Sequence, residues 1–216
     1  MIHVAIPCHT NHGLLRCALD ALTRTLWQPW QPWIIPNDHP LLKGETFTRP
    51  QMGSYTNGRK LDVVLAALPT DARWLFTMHD DSAPLLGGWC EWLQARIGMG
   101  VAGGFLGPWG TGLPHPSGAL YRVQWLRDTQ ASFTPRPGFD VGAGLTIPVS
   151  WDRFIAPKAT RVPWWLHHTD AAADHTGRLV YAHLGGGFLG TTSWRIPNGL
   201  WPFLVRRHLD RQGLSR

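Results

Sequence analysis

The stretch Trp74–Pro84, WLFTMHDDSAP, determines the predicted fold of this chain. Its mostly apolar beginning runs directly into the adjacent carboxylates Asp80 and Asp81, and Pro84 ends the extended segment. A short apolar run bounded by breakers is typical of a buried strand. Acidic residues at the carboxyl end of such a strand lie where open α/β sheets bind their ligands. The two aspartates are therefore candidates to hold a divalent cation, which would in turn hold a diphosphate.

The same residues also allow a purely structural interpretation. Asp and Ser are favoured in Asx turns and as helix N-caps, and we predict a helix that begins near Pro84. In that case Asp80 and Asp81 would only end a strand and start a helix. On this stretch alone both interpretations stay open.

The overall composition is that of a globular protein with one core. The chain has 216 residues, of which 44% are hydrophobic and 16% are charged, and we predict one domain that spans residues 1–216. No apolar run approaches the roughly 20 residues of a membrane helix. Because Met1–Pro7 lacks the features of a signal peptide and predicts a strand, a cytoplasmic location is the default expectation.

Charge and aromatic content bear on the partners of the protein. A formal net charge of +6 favours polyanionic partners such as nucleic acid, or anionic small substrates. The basic segment Arg206–Arg211 is either a solvated helix face or a contact to a phosphate backbone. The 13 tryptophans fill a core or form platforms for sugars and bases.

The three cysteines, Cys8, Cys17 and Cys90, form no CxxC pattern. Their spacing argues against a disulfide framework and against a structural zinc site. Cys8 precedes a histidine and could be a nucleophile, but a cysteine at the end of a strand more often serves packing.

Strands and helices alternate in the first half of the chain. We predict strands at His3–Pro7, Trp33–Pro36, Arg73–Met78 and Val101–Leu106, with helices over Leu14–Leu26, Asn57–Leu68 and Leu85–Ile97. This order predicts an α/β protein whose mostly parallel sheet carries helices on both faces. Later the pattern weakens, and we predict strands at Ala119–Leu126 and Leu179–His183, a short helix at Val141–Ile147, and loops at Asp128–Pro137 and Arg153–Pro163.

Three ordered segments resemble the nucleotide-sugar glycosyltransferases of the GT-A fold, and family 2 in particular. They are Val4–Asn11, Ile34–Asp38 and Trp74–Ser82, and a Gly-Trp pair (Gly88, Trp89) follows the last of them. The resemblance implies a single Rossmann-like GT-A domain. It covers about the first 110 residues well, which implies a nucleotide-sugar-binding half at residues 1–110 and an acceptor-binding half at residues 111–216.

The resemblance also implies roles for individual residues. Pro7, Cys8 and His9 would line the nucleotide pocket, and Asp38 would accept a hydrogen bond from the base of the donor. The same comparison assigns nucleotide-sugar binding to Asn57, Arg59, His79 and Asp80.

Asp81 matches the last acid of the family's D-x-D motif, which binds Mn²⁺ or Mg²⁺. His79 stands where the first acid is expected, so Asp80 would have to compensate. A histidine next to the metal suits Mn²⁺ better than Mg²⁺. The segment Tyr181–Gly187 is similar to a late histidine and glycine loop, which makes His183 a candidate for the metal or diphosphate, with His167 and His168 in reserve.

An inverting transfer needs a carboxylate that removes the proton of the acceptor hydroxyl. In the family this acid stands at the start of a helix, a position that Asp140 fits. Asp170, in a Thr-Asp pair similar to the family's Glu-Asp, is the alternative. Helix capping would explain either residue without a catalytic role.

Together these features predict a metal-dependent, inverting glycosyltransferase that uses a nucleoside-diphosphate sugar, in particular a UDP-sugar, with Mn²⁺ or Mg²⁺. Basic charge and small size suggest a hydroxymethylated base of bacteriophage DNA as the acceptor. A surface glycan, a lipid or a protein hydroxyl are the alternatives. A non-catalytic nucleic-acid or sugar-binding module and a nucleotidyltransferase are the rival functions.

Overall fold

The computed structural model describes residues 1–8, 12–42, 54–106, 114–136, 139–145, 152–166, 170–184 and 199–214. Three histidines named above, His9, His167 and His168, lie outside these residues, as do the three glycines at 185–187. The strands are β1 (Ile2–Pro7), β2 (Trp30–Ile35), β3 (Trp74–Met78), β4 (Ser82–Pro84), β5 (Ala102–Gly104), β6 (Gly118–Arg122), β7 (Arg153–Ile155), β8 (Asp170–Ala173) and β9 (Leu179–His183). The α-helices are α1 (His12–Thr25), α2 (Ser54–Ala67), α3 (Trp89–Ile97), α4 (Val123–Asp128) and α5 (Trp201–Arg211), and short 3₁₀ turns occur at Pro40–Leu42 and Trp164–Leu166.

The central sheet has six strands in the order β2-β1-β3-β6-β5-β7. All of its strands run in one direction except β6, which is antiparallel to both of its neighbours. The predicted α/β class with a mostly parallel sheet is confirmed.

Alternating residues of β1 supply the two faces of this sheet, because successive side chains of a strand point to opposite sides. Val4 and Ile6 pack with residues of α1 and α3, such as Leu22 and Leu93. Ala5 packs on the other side with residues of α2 and α4, such as Leu61 and Leu126. Helices therefore cover both faces, as predicted.

A second, antiparallel sheet with the order β4-β9-β8 lies beyond the carboxyl end of β3. Its alanines pack with α1 and α5, including Leu14 of α1 and Trp201 of α5. The link between β3 and β4 consists of His79, Asp80 and Asp81. The stretch Trp74–Pro84 thus connects the two sheets.

The structure corrects the helix-capping interpretation of this stretch. Residues Ser82–Pro84 form a strand that pairs with β9, and α3 begins only at Trp89 behind Gly88, whose φ is 73°. A positive φ suits glycine and interrupts the chain before the helix. The two aspartates therefore do not cap a helix, and the predicted start of the helix at Leu85 was too early.

Three predictions for the second half were wrong. The strand expected at Ala119–Leu126 ends at Arg122 and continues as the helix α4. At 141–144 the chain makes turns instead of a helix, because Gly142 has a φ of 77°, and residues 146–150 lie outside the described part. The loop expected at Arg153–Pro163 begins with β7, which pairs with the edge of β5.

Among the residues that the structure describes, no helix is both long and apolar enough to cross a membrane.

Candidate functional site

The candidate site lies at the carboxyl ends of β1, β2 and β3. These strands are parallel, so the residues that follow them meet at one edge of the sheet. The segments that follow are Cys8 after β1, Asn37 and Asp38 after β2, and the link His79–Asp81 after β3. The helix α2 packs against β1 and adds polar side chains to the same edge.

Three side chains converge at this edge and form what we call the His–Asp–His cluster: His79, Asp81 and His183. One ligand atom from each lies within 4.8 Å of the others, and Asp81 Oδ1 is 3.2 Å from His183 Nε2. Strand pairing brings His183 there, because the antiparallel register of β4 and β9 places it opposite Ser82. Two imidazole nitrogens and a carboxylate oxygen at such separations are a suitable ligand set for a transition-metal ion.

The two histidines of the cluster differ in charge. Burial lowers the pKa of His79 to about 3, because the nearby carboxylate of Asp81 does not compensate for desolvation and for the adjacent imidazoles. Burial also opposes the charged form of His183, but Asp81 and Asp170 outweigh it and raise its pKa to about 10. The site thus contains a neutral imidazole, His79, and an imidazolium, His183, whose proton would have to leave before that ring could bind a cation.

Asp170 stands behind His183. Its Oδ2 is 3.9 Å from His183 Nδ1, and its side chain is 47% exposed. The contact with His183 lowers the pKa of Asp170 despite partial burial. Asp170 is thus an ionised, accessible carboxylate, and His183 of the cluster is its close charged neighbour.

Asp140 is held by a histidine that the sequence did not single out. His115 Nε2 is 3.1 Å from Asp140 Oδ2. The Ser117 backbone N–H donates to His115 Nδ1 at 3.2 Å, so Nδ1 is the acceptor and Nε2 carries the proton that is donated to Asp140. The Asp140 side chain is 43% exposed. An oriented carboxylate that reaches solvent is what a general base requires.

His115 connects Asp140 to the His–Asp–His cluster. Its ring centroid lies 6.1 Å from that of His79 and 6.4 Å from that of His183. The Ser117 hydroxyl lies 2.6 Å from His115 Nδ1, and the buried Ser117 carbonyl accepts hydrogen bonds from Ser82 and Tyr181. The orientation of His115 is therefore fixed by the same strands that carry the cluster.

Close backbone contacts fix the loop that carries Asp140. The Gly142 N–H donates to the Phe133 carbonyl at 2.9 Å, and a Cβ at Gly142 would lie 2.5 Å from Pro116. Asp62 of α2 accepts hydrogen bonds from the backbone N–H groups of Phe133 and Thr134. The helix α2 thus anchors the segment that leads to Asp140.

On the other side of the stretch Trp74–Pro84 lie Cys8, Lys60 and Asp80, which we call the lysine cluster. Lys60 is fully buried, and its Nζ donates to the Cys8 carbonyl at 2.6 Å. Burial lowers the pKa of Lys60 to about 8, against the opposing effects of Cys8 and Asp80. Burial, together with Asp80 and Asp38, raises the pKa of the Cys8 thiol to about 11. A protonated thiol is a poor nucleophile, which contradicts a nucleophilic role for Cys8.

Asn57 lies between the two clusters. Its Nδ2 is 3.5 Å from His79 Nε2. Its Oδ1 is buried and accepts no hydrogen bond within the described part of the chain. A buried acceptor without a partner is costly, so this oxygen is suited to a ligand's hydroxyl or amine.

The structure brings most of the predicted site residues to one edge. The cluster His79, Asp81 and His183 has Asn57, Asp140 and Asp170 around it, and Pro7, Cys8, Asp38 and Asp80 lie at or beside the adjoining strand ends. Arg59 is half-buried on α2, and His9 lies outside the described residues.

Sequence reasoning missed His115 and Lys60. Lys60 shares a helical stripe with Asn57, Leu61 and Val64, and a polar pair within a buried stripe was the available signal. His115 stands between two prolines and belongs to no motif. Only the folded chain shows that it contacts Asp140.

Comparisons with known proteins agree with the fold. No protein-family model and no curated protein matches the sequence. Among solved structures, the mannosyltransferase PcManGT from Pyrobaculum calidifontis, in complex with GDP-Man and Mn²⁺, matches with a TM-score of 0.50 and 12% identity over 74% of this chain and 57% of that chain.

Two further solved structures match with lower TM-scores. TarS 1-349 from S. aureus, in complex with UDP-GlcNAc, has a TM-score of 0.44 and 12% identity over 61% of this chain and 48% of that chain. An active-site mutant of LgtC has a TM-score of 0.48 and 9% identity over 98% of this chain and 95% of that chain. This chain matches about half the length of the TarS fragment. The likeness to PcManGT shows that the chain has the GT-A fold.

Proposed function

We propose that this chain is a metal-dependent glycosyltransferase that moves a sugar from a nucleoside-diphosphate sugar, specifically a UDP-sugar, to an acceptor hydroxyl. The observation that carries the proposal is the His–Asp–His cluster at the carboxyl edge of a GT-A sheet, with two half-exposed carboxylates beside it. A structural cluster would not need accessible carboxylates on both sides.

The ligand set favours Mn²⁺ over Mg²⁺. His79, Asp81 and His183 offer two nitrogens and one oxygen, whereas Mg²⁺ prefers oxygen ligands. When bound, the ion supplies positive charge that stabilises the leaving diphosphate. Because His183 is protonated without a metal, binding of the ion releases a proton.

The nucleotide part of the donor would occupy the edge formed by the ends of β1 and β2. Pro7, Cys8 and Asp38 line this edge, and Asp38 would accept a hydrogen bond from the base. The unsatisfied oxygen of Asn57 is suited to a hydroxyl of the ribose or the sugar. Arg59 and Asp80 beside the nucleotide or diphosphate, and His9 in the pocket, remain predictions.

We assign the base to Asp140. In the transfer, the acceptor oxygen forms a bond to the anomeric carbon, the bond to the diphosphate oxygen breaks, and the hydroxyl proton moves to the carboxylate. His115 donates to one oxygen of Asp140, which orients the carboxylate. Asp170 is the alternative, but its contact with His183 ties it to the metal ligands. A base on the face of the sugar opposite the leaving group gives inversion of configuration at the anomeric carbon.

In this proposal residues 1–110 bind the donor and residues 111–216 bind the acceptor. We propose a hydroxymethylated base of viral DNA as the acceptor, with the reaction in the cytoplasm of the host. The net charge of +6 supports this choice. A glycan, lipid or protein hydroxyl is the alternative and would show no dependence on nucleic acid.

The test is release of UDP from a set of UDP-sugars in the presence of Mn²⁺, followed by mass spectrometry of modified and unmodified oligonucleotides as acceptors. We expect release that needs Mn²⁺ and is lost in Asp81→Asn. The matched control is Asp71→Asn, which removes an exposed carboxylate at the other end of β3 and should leave release unchanged. Full release by Asp81→Asn with Mn²⁺ would refute the proposal.

A further inference from the structure

A second concave surface lies away from the clusters, between the 3₁₀ turn Trp164–Leu166 and α5. The cavity has a volume of about 190 Å³. Trp165 and Leu204 are buried and form its apolar floor. Trp164, Arg207 and Arg211 line it as well, and we call these three residues the Trp–Arg rim.

The basic residues of α5 divide into two groups. Arg206 lies 3.8 Å from Asp20 of α1, which partly balances its charge, although its side chain is 60% exposed. Arg207 and Arg211 are exposed, one helical turn apart, and form no ion pair within the described residues. Residues four apart lie on one face of a helix. Two uncompensated guanidinium groups therefore line the same side of the cavity.

Trp164 and Trp165 form the aromatic side of the cavity. Trp164 is 67% exposed, whereas its neighbour Trp165 is buried and packs edge-on against Trp201 with ring centroids 5.8 Å apart. Packing of Trp165 anchors the turn, so the exposed ring of Trp164 is presented by a fixed support. Exposing a tryptophan to water has no benefit for folding.

We propose that the Trp–Arg rim binds single-stranded nucleic acid, with a base stacked on Trp164 and the phosphates next to it held by Arg207 and Arg211. Among polymers, nucleic acid offers both a planar ring and a phosphate in every repeat, which matches a ring beside two arginines. A neutral glycan would use the ring but not the guanidinium groups. This inference rests on the proposed function in that the same strand carries the acceptor base.

The position of the cavity fits a strand that also enters the site. Arg206 with Asp20 and Asp210 with Arg24 show that α5 runs in the same direction as α1. Its amino end therefore points to the carboxyl edge of the sheet, and Arg207 and Arg211 in its second half extend away from that edge. The chain from Trp164 to Asp170 can span at most roughly 20 Å at ~3.3–3.6 Å per residue. A single strand of about six nucleotides would cover that distance even at the ~3.4 Å spacing that nucleotides have in a duplex.

Binding of fluorescently labelled dT12 and rU12, measured by anisotropy between 50 and 200 mM salt, tests the proposal. We expect Trp164→Ala to weaken binding by about 5-fold to 100-fold, the effect of losing one base stack, and Trp164→Phe to restore most of it. Arg207→Gln and Arg211→Gln should each weaken binding and reduce the slope of log affinity against log salt by about 0.7. Arg73→Gln, an exposed arginine at the amino end of β3, should change neither affinity nor slope beyond its small share of the net charge.

Three results would overturn the proposal. The first is no binding of either oligonucleotide by the full chain at 50 mM salt. The second is an equal loss in Arg73→Gln and Arg207→Gln, which would mean that only net charge matters. The third is binding of polyphosphate that equals binding of dT12 and does not change in Trp164→Ala, which would leave no role for a stacked base.

The same experiment separates this inference from the proposed function. Asp71→Asn should bind dT12 as the unaltered protein does, because the exposed Asp71 lies neither in the site nor at the cavity. If UDP release fails in every condition while the effects on binding are as expected, the glycosyltransferase proposal falls and the nucleic-acid surface stands. If release succeeds and the binding effects are absent, the reverse holds.

Discussion

Asp80 and Asp81 are adjacent in the chain and have opposite surroundings. Asp81 lies with two imidazoles in the His–Asp–His cluster. Asp80 lies on the side of Cys8 and the buried ammonium group of Lys60, whose pKa values both respond to its charge. One carboxylate thus faces groups that can bind a metal, and the other faces a cation that the protein itself provides.

The difference shows how one link between two strands can serve two purposes. A buried carboxylate must be balanced by positive charge. Lys60 provides this balance for Asp80 while its ammonium group is protonated, so that carboxylate contributes to the fold of the pocket wall. For Asp81 the balance comes from His183, whose proton a metal ion can replace. We therefore expect substitutions on the two sides to affect different properties.

The largest effect separates the two aspartates directly. We expect Asp81→Asn to lower the rate of metal-dependent transfer by about 100-fold to 1000-fold, the range found when a group that stabilises transition-state charge is lost. Asp80→Asn should instead lower the free energy of unfolding, because the carboxylate that offsets burial of the Lys60 ammonium group is lost. Transfer assays and urea unfolding of both variants check this. If Asp80→Asn and Asp81→Asn changed transfer and stability equally, the proposed difference between the two aspartates would be wrong.

The lysine cluster should also leave a signature in the pH dependence of stability. The pKa of Lys60 is lowered to about 8 in the folded protein, so between about pH 8 and pH 10.5 the unfolded chain binds more protons than the folded one. Stability of the unaltered protein relative to Lys60→Met should therefore rise across that window, by about 3 kcal/mol. Urea unfolding of both proteins at pH 7, 9 and 10.5 measures it. A constant difference would show that Lys60 titrates normally.

The smallest effect concerns His115 and Asp140, beside the His–Asp–His cluster. Removing the imidazole that donates to Asp140 in His115→Ala should lower kcat about tenfold, with little change in KM for the donor, since one oriented hydrogen bond is lost. His115→Gln keeps an N–H donor and should recover part of the rate. A purely structural role would instead lower stability in both variants, without a specific loss in kcat. Asp140→Asn and Asp170→Asn, assayed side by side, identify the base.

The sequence predicted the first half of the fold well because long, regular elements leave a periodic signal. The apolar runs of β1 and β3 and the spacing of α1 are of this kind. In contrast, β4 and β7 have three residues each, too few to show alternation. The helix α4 follows β6 without a break, and its Val123, Trp125 and Leu126 resembled a continued strand.

The candidate site was predictable where a residue stands at a strand end. Asp81 follows β3, and His183 ends β9. His115 and Lys60 were not predictable in the same way, because their roles depend on contacts between distant parts of the chain. His115 contacts Asp140, which is 25 residues further along the chain, and Lys60 reaches the Cys8 carbonyl from another element. Such pairings exist only in the folded structure.

Binding of Mn²⁺ tests the central claim most directly. Electron paramagnetic resonance of a Mn²⁺ titration, with and without UDP, measures the free ion in the presence of the unaltered protein, Asp81→Asn and Asp80→Asn. We predict that binding is lost in Asp81→Asn and kept in Asp80→Asn once its fold is verified. Unchanged binding by Asp81→Asn would contradict the account, because the ion would then not depend on the His–Asp–His cluster.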